Sequence, residues 1–107
     1  MTKRIGKIQK CYFGMGGYQD VCIGIGFTLG STSWSVNDFW GDWVTWHKDC
    51  KWTEAERNGK LGEIVIRVAK LLSDANVDTI NRLVGVPIEV DFDDNILKSW
   101  RILTEAI

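Results

Sequence analysis

Aromatic and acidic residues alternate closely in the segment "DFWGDWVTW" (residues 38–46), a composition that suits a binding site. Five of the six tryptophans lie between residues 33 and 52. Strand side chains change face at every residue, so one regular strand cannot bury Trp40, Trp43 and Trp46 on the same face. Indoles that stay exposed can stack on flat ligands or anchor protein partners. We therefore expect either a core or an oligomer interface built from these indoles, or a ligand or partner that contacts some of them.

Two arginines and a glycine-rich turn could supply the anion-binding part of such a site. Arg57 shares a face with the apolar stripe of a predicted helix, and Arg101 follows Trp100 directly. Arginine beside aromatic rings can hold a phosphate and a base together, and a surface ion pair is the alternative interpretation. The turn "GMGGYQD" could present backbone amides to an anion. The candidate ligand-binding residues are Gly16, Gly17, Tyr18, Trp40, Trp43, Arg57, Trp100 and Arg101.

Residues of the kind that bind metals are few and poorly spaced. His47 and Cys50 form the only close His/Cys pair, whereas a structural zinc site usually takes four ligands in two close pairs. Cys11 and Cys22 could face each other across a hairpin, but a buried cysteine that packs as a small hydrophobe is the simpler interpretation. The acidic run "EVDFDDN" lacks the spacing of a calcium-binding loop and reads as a solvated strand face. We predict no metal and no cofactor.

Catalytic arrangements are equally weak in the sequence. No serine lies in a nucleophile-elbow motif, and the single histidine has no evident nucleophile beside it. Asp38, Asp42 and Asp49 could each act as an acid or a base, but no pair among them is singled out. The glycines of "GMGGYQD" and "GIGFTLG" do not join a strand to a helix, as phosphate-binding loops do. We predict no catalytic residues and no enzymatic activity.

The clearest strand signal is the period-two pattern of residues 21–29. Its small residues invite close approach by a helix, another strand or a ligand. A glycine turn before this strand predicts an antiparallel hairpin with a strand over Arg4–Phe13. The apolar face comprises Val21, Ile23, Ile25, Phe27 and Leu29, and the small-residue face comprises Cys22, Gly24, Gly26 and Thr28.

One long helix follows the tryptophan-rich segment. Thr53 and Glu56 have the spacing of a capping box, and Asn76 suits a left-handed stop. Between them, apolar residues recur at the helical period and form one stripe. The stripe comprises Leu61, Ile64, Val65, Val68, Leu71 and Leu72.

The remaining elements complete an α+β fold. A third strand starts at Trp34, and Gly41 is a position where it could bulge or end. A short helical turn over Asp78–Val84 precedes a strand that begins near Pro87, and Ile96–Ala106 reads as a last strand. We predict a mostly antiparallel sheet in the order β-β-β-α-β-β, with one long amphipathic helix packed on it.

The totals exclude several classes of protein. A chain of 107 residues with 45% hydrophobic and 25% charged content fits a single domain over residues 1–107. A net charge of −1 disfavours general nucleic-acid binding, which normally goes with a basic excess. No apolar run approaches the ~18 residues of a membrane span, and "MTKRIGKIQK" does not read as a signal peptide. Three cysteines do not make a disulfide framework, so we expect a cytoplasmic protein.

The segments "GGYQD", "GFTLG", "DFWG", "KWTE" and "LKSWRILTE" resemble a family of short proteins from tailed phages and prophages. The resemblance covers nearly the whole chain. It implies a context, the cytoplasm of a host cell, rather than catalytic residues, because we associate no established activity with the family. Small non-enzymatic phage proteins often counter bacterial defence, either by sequestering a nucleotide messenger or by blocking a defence protein.

In that context we expect a homo-oligomeric sponge for a nucleotide-derived immune signal, such as a cyclic ADP-ribose isomer or a cyclic oligonucleotide. Aromatic rings would stack on the base, while arginines and turn amides would contact phosphate. An anti-CRISPR-like inhibitor of a host defence protein, which uses the same tryptophans as an aromatic hot spot, is the alternative. A structural phage accessory protein whose tryptophans all lie in the core is a third.

Overall fold

The computed structural model describes residues 2–17 and 21–107. Five strands and one long helix make up most of it, in the predicted order. The structure is therefore α+β, as the sequence predicts. A short 3-10 helix precedes the fourth strand and another ends the chain. The elements are β1 (Thr2–Gly16), β2 (Cys22–Gly30), β3 (Ser35–Trp43), α1 (Glu54–Ala75), β4 (Pro87–Asp93) and β5 (Ile96–Ile102), with 3-10 helices at Ile80–Leu83 and Thr104–Ala106.

All five strands belong to one antiparallel sheet, in the spatial order β3-β2-β1-β4-β5. The long strand β1 pairs with two neighbouring strands. Residues 2–7 of β1 pair with β4, and residues 7–16 pair with β2. A bulge between Ile8 and Lys10 separates the two halves of β1 and bends it.

The sheet curls until its two edge strands meet. In a flat sheet β3 and β5 would lie about 19 Å apart, at ~4.8 Å per strand. Instead the rings of Trp40 on β3 and Trp100 on β5 stack with centroids 5.3 Å apart. Asp38 Oδ2 accepts hydrogen bonds from both indoles, at 2.9 Å from Trp40 Nε1 and 2.7 Å from Trp100 Nε1. The sheet is therefore a partly closed barrel whose seam is fastened by one carboxylate.

Helix α1 contacts both strands of this seam, β3 and β5. It starts with the predicted capping box, since Thr53 Oγ1 accepts from the amide of Glu56 and Glu56 Oε1 accepts from the amide of Thr53. It ends at Asn76, whose φ is 57°. The predicted apolar stripe of the helix included Val65, and that prediction is wrong. Val65 follows Ile64, which packs against the core, and its own side chain points away from the sheet and is 66% exposed. No helix among the described residues is long and apolar enough to cross a membrane.

Several predicted boundaries shift. The first strand extends past Phe13 to Gly16, so Gly14 and Gly16 are strand residues, and only Gly17 takes a positive φ, of 70°. Gly41 lies inside β3 rather than ending it. The last strand stops at Ile102, before the final 3-10 helix. The core lies on the concave side of the sheet and comprises Ile8, Ile25, Phe27, Leu29, Trp40, Leu71, Ala75, Leu83, Ile88, Val90, Phe92 and Ile102.

Candidate functional site

The convex side of β1, β2 and β3 carries the small-residue face of β2. The register aligns outward residues in rows across the three strands. Most residues in these rows are glycine or aromatic, and we call the surface the glycine–aromatic face. Its rows are Lys10–Thr28–Asn37, Tyr12–Gly26–Phe39, Gly14–Gly24–Gly41 and Gly16–Cys22–Trp43.

Two aromatic rings lie against the glycines of this face. A Cβ on Gly26 would overlap the Tyr12 ring, and a Cβ on Gly41 would overlap the Phe39 ring. The centroids of the two rings are 6.3 Å apart, with their planes tilted by 31°. Tyr12 is 50% exposed. Because glycine has no side chain, the rings lie low on the sheet and keep surface available for a flat ligand.

A recess of about 410 Å³ opens beside these rings. Its polar lining comes from Asp38 and from the neighbouring row, where Thr28 Oγ1 donates to Asn37 Oδ1 at 3.0 Å. That bond fixes the orientation of the Asn37 amide and leaves its NH₂ group as a donor for a ligand. The recess therefore combines stacking surface with a directed hydrogen-bond donor, which is the usual composition of a small-molecule site.

Charge is distributed unevenly over the convex side of the sheet. The outward positions of β1–β3 include Lys7 and Lys10, and no acidic residue occupies an outward position among residues 7–17 and 22–43 of these strands. Neither lysine forms an ion pair with the described residues. The convex side of β1–β3 is thus cationic, with Lys10 on the glycine–aromatic face and Lys7 beside it, although the whole chain has a net charge of −1.

Three of the eight candidate residues lie at the turn end of this face. Gly16 and Trp43 share its last row, and Gly17 follows immediately. Tyr18 lies outside the described residues. Trp43 is 40% exposed, whereas Trp40 is 8% exposed, as their three-residue spacing requires. Trp46 lies in the loop after β3, where its Nε1 donates to the carbonyl of Trp52 at 2.9 Å.

Trp40 and Trp100 lie on the concave side, in or against the core, which does not favour their prediction as ligand contacts. Each packs edge-on against Phe27, and they stack on each other. The guanidinium of Arg67 lies 3.9 Å from the centre of the Trp40 ring. Asp38 accepts from both indole N–H groups. The Trp40 ring is therefore covered by protein groups and has little surface left for a stacked base, while the Trp100 ring is half-buried.

Both candidate arginines already have partners within the chain. Arg57 Nη1 donates to the carbonyl of Val44, and Arg57 Nε donates to Asn58 Oδ1 at 2.7 Å. Arg101 holds Glu105 with two hydrogen bonds, of 3.0 and 3.1 Å, and contacts Glu89 at 3.3 Å. The bond from Arg101 lowers the pKa of Glu105 to about 2. Arg101 is thus in the surface ion pair that was the alternative interpretation.

The cysteines do not face each other across the first hairpin, an arrangement that the sequence left open. Cys11 is opposite Phe27 and Cys22 is opposite Gly16, so the two side chains point to opposite faces of the sheet. Burial raises the pKa of the Cys11 thiol to about 11. Burial, with a smaller contribution from the negative charge of Asp42, also raises the pKa of the Cys22 thiol. No group of three potential metal ligands occurs among the described residues.

The residues that dominate the face, Tyr12 and Phe39, were not among the candidates. The feature of the sequence that could have identified them is the small-residue face of β2, against which a flat side chain can lie. Identifying what lies there needed the register, because Tyr12 and Phe39 meet Gly26 only when β2 is placed between β1 and β3.

Comparison with protein-family models, with curated proteins and with solved structures finds no match for this chain. The resemblance to short tailed-phage proteins therefore stays a prediction. The proposals below rest on the geometry and the charge of the described residues.

Proposed function

We propose that this protein binds a nucleotide ligand on the glycine–aromatic face and releases it unchanged. The observation that carries the proposal is the row Tyr12–Gly26–Phe39, which sets two partly exposed rings side by side on a glycine floor. Stacking of a base on an aromatic side chain contributes about 1–3 kcal/mol and tolerates any base. Two adjacent rings therefore suit a ligand with more than one base, such as a cyclic oligonucleotide or a single strand.

Charge favours a nucleotide over a sugar for this face. Both kinds of ligand can lie on aromatic rings. Lys7 and Lys10, without an acidic neighbour on this face, would attract an anion, while a neutral sugar gains nothing from them. Fold alone does not assign function, so the rings and the lysines carry the argument.

The biological role that we propose is sequestration of a nucleotide-derived immune signal, as expected from the sequence. The binding residues that we propose differ from those expected. Trp43 is kept from the expected set, Tyr12, Phe39 and Asn37 replace Trp40 and Trp100 as the ring and amide contacts, and Lys10 replaces the arginines at the phosphate. Formation of a homo-oligomer stays a prediction.

Thermal melting with a ligand panel tests the proposal, because a ligand that binds only the folded state raises the melting temperature. The panel holds cyclic dinucleotides and trinucleotides, cyclic ADP-ribose isomers, short single strands and, as the competing chemistry, neutral oligosaccharides. We expect stabilisation by at least one nucleotide, and recovery of that nucleotide intact after heating. Stabilisation by sugars alone, or by none of the panel, would overturn the proposal.

Adjacent residues of β1 provide a matched pair of variants. Tyr12 and Phe13 are both exposed aromatics, at 50% and 61%, but they point to opposite faces of the same strand. We expect Tyr12→Ala to weaken nucleotide binding about tenfold or more, since ~1.4 kcal/mol is a factor of ten. Phe13→Ala should leave the affinity unchanged. Equal effects of the two substitutions would mean that the ligand does not lie on the glycine–aromatic face.

A protein partner is the second candidate, and a specific observation supports it. Phe13 and Met15 are exposed on the concave side of the first hairpin, beyond the part that the core covers. Large apolar side chains clustered in this way are typical of interface anchors. If a host protein is the target, Phe13→Ala with Met15→Ala should abolish its capture, while Tyr12→Ala should not.

A further inference from the structure

A second recess lies on the convex side of the sheet, where β1 passes from β2 to β4. Its volume is about 470 Å³, within the ~300–1,000 Å³ range of small-molecule sites. Exposed Ile5 and half-buried Pro87 provide an apolar wall. The turn between β2 and β3 closes one side, held there by the hydrogen bond of 3.2 Å from Gln9 Nε2 to the carbonyl of Ser31. The recess is lined by Ile5, Gly6, Lys7, Gln9, Gly30, Ser31, Thr32 and Pro87.

The bulge in β1 places two lysines between this recess and the Tyr12–Phe39 recess. Residues three apart in a regular strand point to opposite faces. Here Lys7 pairs with Gly30 and Lys10 pairs with Thr28, two residues of β2 that share one face. The extra residue of the bulge therefore brings both ammonium groups to the convex side, where neither has an ion-pair partner among the described residues.

Together these features form a continuous track along β1. An apolar recess at Ile5 is followed by Lys7 and Lys10, and then by the rings of Tyr12 and Phe39. Ile5 and Tyr12 are six register steps apart once the extra residue of the bulge is discounted, which corresponds to about 20 Å at ~3.4 Å per residue. A stacked strand advances ~3.4 Å per nucleotide, so the track is several nucleotides long. A mononucleotide fills only one end of it.

We infer that the nucleotide ligand is a linear single strand that spans both recesses, with its phosphates at Lys7 and Lys10 and a base in the Ile5–Pro87 recess. The inference rests on the proposed function and specifies its ligand class. Alternation of flat apolar surface with cationic side chains matches the alternation of bases and phosphates in a single strand. The charge of −1 for the whole chain does not oppose this. Glu89 lies opposite Ile5 at one end of the track, but its carboxylate is in ion pairs with Lys3 and Arg101.

Binding of thymidine oligomers of increasing length tests the inference by fluorescence anisotropy. The lengths are about two, four, eight and twelve nucleotides, which bracket the ~4–16 nucleotides of comparable sites, with a cyclic dinucleotide alongside. We expect affinity to rise at least tenfold between two and eight nucleotides and then to level off. An eight-nucleotide strand that binds no tighter than the dinucleotide or the cyclic dinucleotide overturns the inference.

The lysines give a second readout, the dependence of affinity on salt. Each phosphate contact on a single strand contributes about −0.7 to the slope of log K against log salt concentration. The double substitution Lys7→Ala/Lys10→Ala should therefore reduce the slope by about 1.4. The matched control, Lys48→Ala/Lys98→Ala, removes two exposed lysines elsewhere and should leave it unchanged. An equal change in both double variants would mean that the track does not hold the phosphates.

Ile5→Glu separates this inference from the proposed function. Ile5 is exposed, and the substitution adds a negative charge to the second recess. Because the new carboxylate lies opposite Glu89 on β4, a thermal melt of the variant checks that it is folded at the binding temperature. We expect the ratio of eight-nucleotide to two-nucleotide affinity to fall toward one. If that ratio is unchanged while Tyr12→Ala still weakens both ligands, the proposed function stands and the track is wrong. If none of the oligomers or cyclic nucleotides binds the wild-type protein, both fail.

Discussion

The two halves of the sheet's convex side differ in how their polar groups are satisfied. On the β4–β5 half, Glu89 and Asp91 lie near Lys3, at 3.7 and 3.9 Å, and Glu89 also contacts Arg101 at 3.3 Å. Ser99 donates to Asp91 Oδ2 at 3.3 Å. The β1–β3 half has glycines, two rings and lysines that have no acidic partner among the described residues. One half is neutralised within the chain, and the other half is available for a ligand.

This difference shows that the net charge of a chain does not report where its charges lie. The total of −1 suggests that polyanions are poor partners, but it adds a cationic face to an acidic one. At physiological salt, charges interact over about 8 Å, so a ligand responds to the face that it contacts and less to the far side of the sheet. The sequence-based expectation against nucleic-acid binding relied on the total, which carries no information about position.

The largest effect that we expect comes from the carboxylate that fastens the barrel seam and so holds the two halves together. Asp38→Ala removes the acceptor of two indole N–H groups and of the Phe39 amide. Hydrogen bonds to charged groups contribute about 1.5–3 kcal/mol each, so the free energy of unfolding should fall by about 3 kcal/mol or more. Urea unfolding measures it.

Asp42 is the matched control for Asp38, because its Oδ1 accepts from the amide of Trp43 at 2.8 Å but it bonds no indole. Asp42→Ala should cost much less than Asp38→Ala. Equal losses of stability in the two variants would show that the seam does not depend on the indole hydrogen bonds.

A middle-sized effect on stability should separate two glycines of one row on the β1–β3 half. A Cβ at Gly24 would collide with the backbone of Trp40 and Gly41, whereas a Cβ at Gly14 would meet nothing within 4 Å. Gly24→Ala should therefore destabilise by about 1–3 kcal/mol, as overpacking does. Gly14→Ala should be neutral or stabilising by about 0.4–1 kcal/mol. Chemical denaturation of both variants checks the pair, and a tolerated Gly24→Ala would contradict the close approach of β2 and β3.

A smaller effect, on binding alone, should follow from making the cationic half more like the acidic one. Asn37→Asp keeps the acceptor for the Thr28 hydroxyl but replaces the free NH₂ donor with a negative oxygen in the row that contains Lys10. Nucleotide affinity should fall at least tenfold, about 1.4 kcal/mol, and the loss should shrink in high salt. Asn81→Asp, an equal charge change away from the sheet, should have no effect on titrations with the same ligand. If the two variants lose equal affinity, net charge rather than local charge controls binding.

The smallest effect concerns the ion pair on the acidic half. Because Arg101 lowers the pKa of Glu105 from 4.5 to about 2, the stabilisation is present above pH 4.5 and is lost as the pH falls through about 2. Glu105→Gln should slightly lower the melting temperature at pH 7 but not below pH 2. Glu63→Gln, on an exposed part of α1, should show no such difference. An NMR titration midpoint for Glu105 near 4.5 would contradict the pair.

Local signals in the sequence predicted the elements well. The capping box at Thr53 and the left-handed stop at Asn76 depend only on residues close in sequence, so the sequence alone can predict them. The period-two pattern of β2 and the opposite placement of Trp40 and Trp43 follow from strand geometry alone. The sequence identified the small-residue face of β2 as a place of close approach. It did not identify the side chains that approach it.

The candidate site was harder to predict, because its residues converge from separate strands. Strand pairing set the row Tyr12–Gly26–Phe39, and one bulge brought Lys7 and Lys10 to the same face. Curling of the sheet buried Trp100 against Trp40, 60 residues away along the chain. Propensity and periodicity report on neighbours in sequence, so they identify elements and their apolar faces. Register and curvature depend on pairings between distant segments, and here they determined which aromatic rings form the core and which remain exposed to a ligand.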